Sequence, residues 1–454
     1  MRDHRDGGNV NTLQRHHSHT VLSGWGRMPV VEGAEVRSEN LARLTQTLPL
    51  ARGLGRAYGD AALPTPADRL VAGTTLADRI LAFDPATGVL TAEAGFSLDD
   101  LCRVFLPRGF FTPVSPGTRF VTLGGMVACD VHGKNHHRDG SFGQHVLSLT
   151  VRTGTGDIVT CSPHEHEDLF RATVGGMGLT GPVLDVTVRL ARIPSTAIFE
   201  ECERVEDLGH LLHTLTSASA QSPMTVAWAD CLADGPSRGR GLVLRGRWAE
   251  AAHASPAFHS KPFKLSIPFN VPAWVLMPTA VRLFNAAYWR HRGRKSSGLV
   301  HPYAFFYPLD AIEHWTRLYG VRGFTQYQCV LPDSAGRDAV VRLLDMLARR
   351  GGASFLTVIK DCGAEGVGLL SFPRPGVSVA IDLPMADDTQ SIVDALNEVV
   401  IAEGGRVYLA KDALTRADHF RAMEPRLDAF LAVRRKWDPE GRIRSAQSLR
   451  LFGW

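Results

Sequence analysis

Three glycine-rich loops constrain this chain more than any other feature of its sequence. The first runs from Ala51 to Asp60, the second from Pro116 to His137, and the third from Val174 to Val183. Glycine lets a backbone approach a ligand closely and point its N–H groups at it. Because a single nucleotide needs only one such loop, three loops beside strand-like segments predict one long, extended cofactor.

The loops differ from the common phosphate-binding fingerprints. Glycines 53, 55 and 59 are not followed by Gly-Lys-Ser/Thr, and their spacing is not that of a dinucleotide fingerprint. The second loop ends in Lys134 with three histidines around it, which favours an anionic, polar-headed ligand. A plain turn remains the alternative for Tyr58 and Asp60.

Length and charge exclude several classes of protein. A chain of 454 residues predicts two or three domains. A net charge of +4 argues against nucleic acid as the main partner. The seven cysteines form no C-x-x-C pair, which argues against a disulfide scaffold and a structural zinc site, and no metal site is predicted. Residues Met1 to Ser23 have no apolar core, so we expect a solvated tail and not a signal peptide.

Glycine-rich loops give way to longer strand-like and helix-like segments near Pro194-Ser195, where we place a domain boundary. Before it, Val36 to Thr47 has the pattern of a helix and Val89 to Ala94 that of a strand. Ser97 is expected to cap a helix that runs to Leu106.

Residues 324–411 predict a β-α-β-β-α-β order, that of a split βαβ unit. The expected strands are 324–331, 354–360, 377–383 and 406–410, and the expected helices are 333–349 and 390–403. Helices must cover one face of this sheet. Alternation then places Gln326 and Gln328 on the other face, together with Ser378 and Asp382 on a neighbouring strand. We expect a polar cavity there, with Lys360 and Lys411 at strand ends; an ordinary solvated sheet face is the alternative.

Residues 261–295 combine aromatic and aliphatic side chains with proline and a basic cluster, Arg290 to Lys295. Prolines 268, 272 and 278 interrupt the segment, so it is not a spanning helix. Peripheral contact with a membrane or a lipid tail fits this composition. A core helix pair with a charged turn fits equally well.

Several stretches resemble a known family of flavoproteins. They include Arg52-Gly-Leu-Gly-Arg56, His132-Gly-Lys-Asn-His-His137, Ser141-Phe-Gly143, Phe324 to Gln328, Ser371-Phe-Pro373 and Val433-Arg-Arg-Lys436. The three loops are similar to the FAD-contacting segments of vanillyl-alcohol-oxidase-type flavoproteins. The resemblance is closest to the branch of decaprenylphosphoryl-β-D-ribose 2-oxidases, and it covers nearly the whole chain.

This resemblance implies an α+β fold with a two-part FAD-binding domain and a substrate domain built on an antiparallel sheet. The implied parts are 1–195 for FAD, 196–404 for substrate and 405–454 as a return to the FAD domain. The implied reaction oxidises the 2-hydroxyl of a polyprenylphosphoryl-β-D-ribose to a 2-keto sugar. A separate NAD(P)H-dependent keto-reductase would complete epimerisation to the arabinose donor of cell-wall arabinan.

The resemblance also assigns residues to roles. It implies that Lys411, His132 and Tyr58 stand at the reacting centre, with Lys411 and His132 as candidate bases. It places these residues at the cofactor: Arg52, Gly53, Leu54, Gly55, Arg56, Ala57, Tyr58, Gly59, Gly117, Arg119, Thr122, Leu123, Gly124, Gly125, Cys129, Asp130, Val131, His132, Gly133, Asn135, His136, His137, Gly140, Ser141, Phe142, Gly178, Gly181, Val183 and Tyr408. It places these at the substrate: Lys134, Tyr307, Gln326, Gln328, Lys360, Ser378, Ala380 and Lys411.

Two departures from the family pattern affect these expectations. The first loop has Arg56-Ala57-Tyr58 where many relatives carry a histidine that tethers FAD, so we predict non-covalent FAD. Ala380 replaces a cysteine of the close family, and Ser378 replaces an asparagine. Hydride transfer does not need that cysteine, but the identity of the substrate is less strongly implied.

Two other functions compete with this one. One is an oxidase of a soluble sugar or polyol on the same fold, and the other is a flavin-free binding protein. Lys134, Lys360 and Lys411 are all present, which disfavours the binding protein. With no signal or spanning segment seen, we expect a cytoplasmic protein or one attached peripherally to the cell envelope. The acceptor that re-oxidises FAD stays open between oxygen and a quinone.

Overall fold

The three loops and their strands occupy the first part of a computed structural model that describes residues 21–251, 265–291, 293–350 and 354–454. The strands of this part are β1 (Val21–Ser23), β2 (Val30–Glu32), β3 (Ala34–Arg37), β4 (Ala51–Arg52), β5 (Leu70–Gly73), β6 (Ile80–Asp84), β7 (Val89–Glu93), β8 (Phe110–Phe111), β9 (Val146–Arg152), β10 (Ile158–Cys161), β11 (Val183–Arg189) and β12 (Ala191–Arg192). The helices are α1 (Leu41–Leu44), α2 (Leu98–Phe105), α3 (Leu123–Ala128), α4 (His136–Asp139) and α5 (Glu167–Thr173).

Two sheets carry the glycine loops. Strands β3, β5 and β4 form a small parallel sheet, and β10-β9-β11-β7-β6 form an antiparallel one. The predicted cap of α2 is confirmed, since Ser97 Oγ accepts a hydrogen bond of 3.0 Å from the Asp100 backbone N–H. The predicted helix from Val36 is wrong. Val36 pairs with Ala72 inside β3, and the helix begins only after Asn40, whose side chain caps it.

The second part supplies the remaining elements. Its strands are β13 (Ile198–Val205), β14 (Met224–Ala229), β15 (Gly241–Trp248), β16 (Leu265–Ser266), β17 (Lys295–Val300), β18 (Ile312–Glu313), β19 (Phe324–Pro332), β20 (Thr357–Cys362), β21 (Gly376–Pro384) and β22 (Arg406–Val407). Its helices are α6 (Leu208–Gln221), α7 (Pro278–His291), α8 (Pro302–Phe306), α9 (Asp338–Arg349), α10 (Thr389–Ala402), α11 (Ala417–Met423), α12 (Leu427–Trp437) and α13 (Ala446–Phe452).

One sheet of eight strands, in the order β17-β13-β15-β14-β20-β21-β19-β22, organises this part. The predicted β-α-β-β-α-β unit is confirmed by β19-α9-β20-β21-α10-β22, whose strands lie in the spatial order 4-1-3-2 of a split βαβ unit. The preceding segment, β13-α6-β14-β15-α7-β17, has the same strand order and, apart from the short strand β16 between β15 and α7, the same element order. The two units join through their second strands, β14 and β20.

Element ends differ from the predicted ones. The second predicted strand begins at Thr357, and the last strand ends at Val407 because the chain turns, with the Lys411 N–H donating to the Tyr408 carbonyl at 2.9 Å. The predicted stop of α9 at Gly351-Gly352 lies outside the described residues.

The two faces of this sheet differ as alternation predicts. Tyr327, Cys329 and Val379 pack into the core that contains the apolar residues of α9 and α10. The opposite face carries Gln326 (5% exposed) and Asp382 (0% exposed). Burial this deep excludes an ordinary solvated face, so the polar residues line an interior site.

The C-terminal segment returns to the first part of the molecule. Helix α12 packs beside α5, where Lys436 pairs with Asp168 at 2.6 Å. Arg450 of α13 pairs with Asp60 at 2.8 Å, next to the first glycine loop. The α+β class is confirmed, and the divisions at 195 and 404 stay predictions. No helix within the described ranges is long and apolar enough to cross a membrane.

Candidate active site

The three glycine loops converge, as predicted. A side chain at Gly53 of the first loop would collide with Thr122 of the second. The third loop binds the second through two backbone hydrogen bonds, from Gly175 N to Val127 O at 3.0 Å and from Met177 N to Ala128 O at 2.9 Å. The loops therefore form one continuous wall.

Helix α3 is the centre of this wall. Thr122 caps it by accepting a hydrogen bond from the Gly125 N–H at 3.3 Å. The first turn packs closely on the segment after β7, since the Leu123 and Gly124 N–H groups donate to the Phe96 and Ala94 carbonyls at 2.9 Å each. The other end is held by Tyr408, whose hydroxyl donates to the Cys129 carbonyl at 2.9 Å.

The wall leaves room for a cofactor such as FAD. A methyl group added at Gly117 or Gly178 would have no neighbour within 4 Å among the described residues. Gly178 has φ +78, a conformation that favours glycine. Buried Arg56 Nε also lacks a hydrogen-bond partner in the described part of the chain, while its guanidinium lies 3.7 Å from the Trp25 ring centroid. Open space and an unpaired buried donor fit a large anionic group.

A row of hydrogen bonds leads from the buried sheet to Lys411. The Lys411 ammonium donates to Gln326 Oε1, and Gln326 Nε2 donates to Asp382. The Tyr319 hydroxyl donates to the second Asp382 oxygen at 2.7 Å. Lys411 Nζ also lies 4.1 Å from the ring centroid of Tyr58. The chain thus fixes the lysine in one place.

The surroundings of Lys411 lower its pKa to near neutral pH. Burial lowers the pKa of Lys411 to about 7; the Asp382 carboxylate opposes this shift and the Lys360 ammonium reinforces it. Burial also raises the pKa of Asp382 to about 6, against the hydrogen bonds from Gln326 and Tyr319. An amine with such a pKa is half neutral at physiological pH and can accept a proton.

His132 lies next to this row of hydrogen bonds, and the contacts of its ring decide which nitrogen carries the proton. Gln328 Nε2 donates to Ser378 Oγ at 3.0 Å and faces His132 Nε2 at 2.8 Å. This amide orientation makes His132 Nε2 an acceptor, so the ring proton sits on Nδ1. Burial, followed by the nearby Lys360 charge, holds the pKa of His132 well below its usual value. His132 is therefore a neutral donor through Nδ1, which has no hydrogen-bond partner within the described ranges.

Two further lysines face the same space. Lys134 donates to the Phe305 carbonyl, and its Nζ lies 4.5 Å from the Phe305 ring centroid. Burial lowers the pKa of Lys134 to about 7; the Glu200 carboxylate opposes this shift and the Lys360 ammonium reinforces it. Lys360 stands opposite Ser378 on the neighbouring strand, and burial lowers its pKa as well. Partly desolvated amines grouped in this way favour an anionic ligand.

Ala380 occupies the floor between these groups. It stands opposite Gln328 on β19 and opposite Val358 on β20, on the same sheet face as Ser378 and Asp382. A methyl group there leaves more space than the cysteine of the close family would.

Other predicted site residues are held by protein contacts. The Tyr307 hydroxyl is 2.6 Å from Ser115 Oγ, and Arg119 pairs with Asp99 and Asp310. The remaining contacts of predicted residues are Arg52 to the Ser23 carbonyl at 2.8 Å, Asn135 to the Pro113 carbonyl at 2.8 Å, His136 Nδ1 to the Gly363 N–H at 3.0 Å, and His137 Nε2 to the Ser222 carbonyl at 2.9 Å. These residues shape the walls.

Asp130 ties the second loop to the rest of the site. Its buried carboxylate accepts hydrogen bonds from Ser141 Oγ at 2.8 Å, the Gly143 N–H at 2.8 Å and Ser371 Oγ at 2.5 Å. Val131 and Phe142 belong to the hydrophobic core behind the loop. Gly59 and Gly181 fit tightly against the backbone carbonyls of Asp412 and Arg152.

Sequence reasoning placed Asp382 on the face of the polar cavity, by alternation with Ser378 along β21, but assigned it no role; it is the buried end of the row to Lys411. Two other neighbours were left out of the site. Tyr319 binds Asp382 from a 3₁₀ segment, and the Phe372 ring packs 5.2 Å from His132. Neither contact has a local sequence signal, because both depend on how distant segments fold together.

Comparison with known proteins points to one family. Residues 40–162, which include the first two loops, match the family model of an FAD binding domain. The chain is 34% identical to decaprenylphosphoryl-beta-D-ribose oxidase of Mycolicibacterium smegmatis, over 95% of this chain and 97% of that protein. It is 32% identical to an uncharacterized Streptomyces coelicolor protein, over 78% of this chain and 99% of that one. It is 27% identical to D-arabinono-1,4-lactone oxidase of Yarrowia lipolytica, over 40% and 36% of the two chains.

Proposed function

The chain belongs to the FAD-dependent oxidoreductase family of the decaprenylphosphoryl-β-D-ribose oxidases, and we propose that it oxidises the 2-hydroxyl of a polyprenylphosphoryl-β-D-ribose to the 2-keto sugar. The observation that carries this proposal is the pairing of full-length similarity with a buried amine, Lys411, beside the cofactor wall. FAD, when bound, supplies the acceptor for the substrate hydride.

Lys411 is the base that takes the hydroxyl proton. Gln326 offers only its carbonyl oxygen to this amine because its amide nitrogen is engaged by Asp382. The lone pair of neutral Lys411 is consequently free to accept a proton from the substrate. His132 is a poor alternative base, because its Nε2 lone pair already faces Gln328.

Lys134 and Lys360 bind the phosphate of the substrate. Both amines are partly desolvated, and the Lys360 charge lowers the pKa values of Lys134, Lys411 and His132. A phosphate placed among them would stabilise the charged form of each lysine. Binding of substrate is therefore expected to raise their pKa values.

FAD binds non-covalently in this proposal. The first loop has Arg56, Ala57 and Tyr58 and contains no histidine that could form a covalent bond to the flavin. Acid or heat denaturation should release all of the flavin into the supernatant. Flavin that remained with the precipitated protein would contradict this assignment.

The product needs a second enzyme. A 2-keto sugar becomes the epimer when a reductase delivers hydride to the opposite face. We propose a separate NAD(P)H-dependent keto-reductase as functional partner, which would place this chain in the first half of an epimerisation that yields an arabinose donor for arabinan. Similarity to the mycobacterial oxidase supports this role.

A second candidate is an oxidase of a soluble sugar or polyol. Ala380 and Ser378 favour it, because both differ from the close family at the floor of the site. A turnover assay with a dye as electron acceptor distinguishes the two candidate functions. We expect conversion of a polyprenylphosphoryl ribose to a product two mass units lighter, with free ribose and pentitols much slower. Faster conversion of the soluble compounds would favour the second candidate.

A further inference from the structure

An exposed apolar surface surrounds helix α7. We define the α7 crest as Phe269, Trp274, Met277, Leu283 and Phe284, whose exposed fractions are 67%, 65%, 55%, 73% and 51%. Five exposed large apolar side chains between residues 269 and 284 are typical of a contact surface.

The packing of helix α7 explains why the side chains of the α7 crest are exposed. Helix α7 buries a narrow seam, Val281 and Asn285, one turn apart. Asn285 donates to Asp230 at 2.9 Å, which fixes the rotation of the helix about its axis. Leu283 is consequently exposed, and Phe284 stays half exposed although its ring packs 5.2 Å from that of Phe355. Such exposure is contrary to a core helix pair.

The segment around the α7 crest carries only positive formal charge. Residues 251–309 contain no aspartate or glutamate but seven lysines and arginines. With 46 acidic residues in 454, a segment of this length would carry about six. Arg290 and Arg294 are exposed beside the crest, and neighbouring Lys295 is 77% exposed. An apolar surface with a basic margin matches the interfacial and headgroup regions of an anionic bilayer.

The α7 crest is continuous with the active site. Leu276, which follows Trp274, packs against a cluster of Tyr58, Trp315, Tyr319 and Phe324. Tyr58 is the residue whose ring lies under Lys411. Apolar side chains thus connect the catalytic amine with the exposed surface.

We propose that the α7 crest docks the protein on an anionic lipid bilayer, with aromatic side chains inserted at the interface and Arg290 and Arg294 at the headgroups. The bilayer is favoured over a protein partner because the surface joins an apolar crest to exposed arginines, Arg290 and Arg294, in a segment without acidic residues. The nearby Lys295 and Arg282 pair with Glu203 and Asp234 of other elements. Docking needs only this surface. Delivery of a lipid-linked substrate along the apolar connection rests on the proposed function.

Flotation with vesicles tests the proposal without turnover. The full-length FAD-loaded protein is mixed with vesicles of phosphatidylcholine alone or with added phosphatidylglycerol. We expect flotation with the anionic vesicles, little with the neutral ones, and loss of flotation as salt is raised. Absence of flotation with anionic vesicles at low salt overturns the proposal.

Matched variants locate the surface. The triple variant Trp274→Ser, Leu283→Ser, Phe284→Ser is expected to weaken binding at least fifty-fold, roughly the effect of removing large apolar side chains from the interface. Arg290→Gln with Arg294→Gln is expected to weaken it about thirty-fold. The control pair Leu81→Ser and Ile158→Ser, at positions that are each 49% exposed in the first part of the molecule, should bind normally. Equal loss in the control overturns the assignment to α7.

Two additional measurements distinguish bilayer docking from dimer formation and from a change in the active site. Sedimentation of the protein without vesicles tests whether the α7 crest joins two copies of the chain. If the unaltered protein is a dimer that does not float with vesicles, and the triple variant is a monomer, bilayer docking is refuted. Turnover of a short-chain, water-soluble phosphoryl ribose is expected to be unchanged in the triple variant. If that substrate is inert in the unaltered protein while flotation persists, the proposed function fails and docking stands.

Discussion

Lys411 depends on a carboxylate that it does not touch. The Gln326 side chain links the two groups: its carbonyl oxygen accepts a hydrogen bond from the Lys411 amine, and its amide nitrogen donates one to Asp382. Only one orientation of the amide allows both hydrogen bonds. The reactivity of the lysine is therefore a property of three residues on three segments of the chain.

Removal of the amine should abolish most turnover. Lys411→Met is expected to lower kcat by about 10²- to 10⁴-fold, the usual range for loss of a general base. FAD content should stay near normal, because the Lys411 amine contacts only one side chain of the glycine loops, the ring of Tyr58, and no backbone N–H group of those loops is among its contacts in the described part of the chain. Stopped-flow reduction of the bound flavin measures this effect. A reduction rate within threefold of the unaltered protein would exclude Lys411 as the base.

The pH dependence follows from the pKa of Lys411. Since the neutral amine is the base and its pKa is lowered to about 7, the rate of flavin reduction at saturating substrate, where bound phosphate keeps Lys134 and Lys360 charged, should rise through pH 7 and then level off. Asp382 raises that pKa, so Asp382→Asn should move the inflection to lower pH. Tyr319→Phe keeps the carboxylate but removes a hydrogen bond that lowers the pKa of Asp382, so it should move the inflection in the same direction by a smaller amount. An unchanged inflection in Asp382→Asn would contradict the coupling.

At the scale of elements, the tight contact between loops is the feature to test. Gly53→Ala places a methyl group against Thr122, which caps α3, and overpacking of this kind costs about 1–3 kcal/mol. We expect the variant to lose FAD at least tenfold more readily and to melt earlier. Gly298→Ala, on β17 with no described neighbour within 4 Å of the added methyl group, is the control. Normal FAD retention by Gly53→Ala would show that the loops do not act together.

Periodicity predicted the second β-α-β-β-α-β unit because its strands and helices are strongly amphipathic. The first unit, from Ile198 to Val300, was not predicted as a repeat. Helix α7 has only a narrow buried seam, and β17 is exposed along half its length, so neither shows a clear apolar face. The error at Val36 has a related cause, since the pairing of β3 with β5 is a non-local contact.

The whole molecule is closed by its C-terminal segment. Arg450 bridges Asp60 and Asp412, at 2.8 Å each, across 390 residues of sequence to the first loop. Such a pairing has no signal in a single sequence, whereas the resemblance did predict that the last residues return to the FAD domain. The site is therefore complete only when the last helix is in place.

Loss of this bridge should destabilise the whole fold. Arg450→Met leaves two carboxylates, exposed by only 5% and 6%, without their cation, and we expect a loss of about 3–5 kcal/mol in the free energy of unfolding. Arg421→Met breaks an exposed pair with Asp428 and should cost about 0–1 kcal/mol. Urea denaturation of both variants measures the difference. Equal stability of the two would contradict a closing role for Arg450.

Anaerobic titration of the purified protein tests the central assignment most directly. One equivalent of a polyprenylphosphoryl ribose should bleach the flavin absorption band completely, while Lys411→Met should keep its band on the same time scale. A protein without a flavin band after reconstitution with FAD, or a band that this substrate leaves unchanged, would contradict the account.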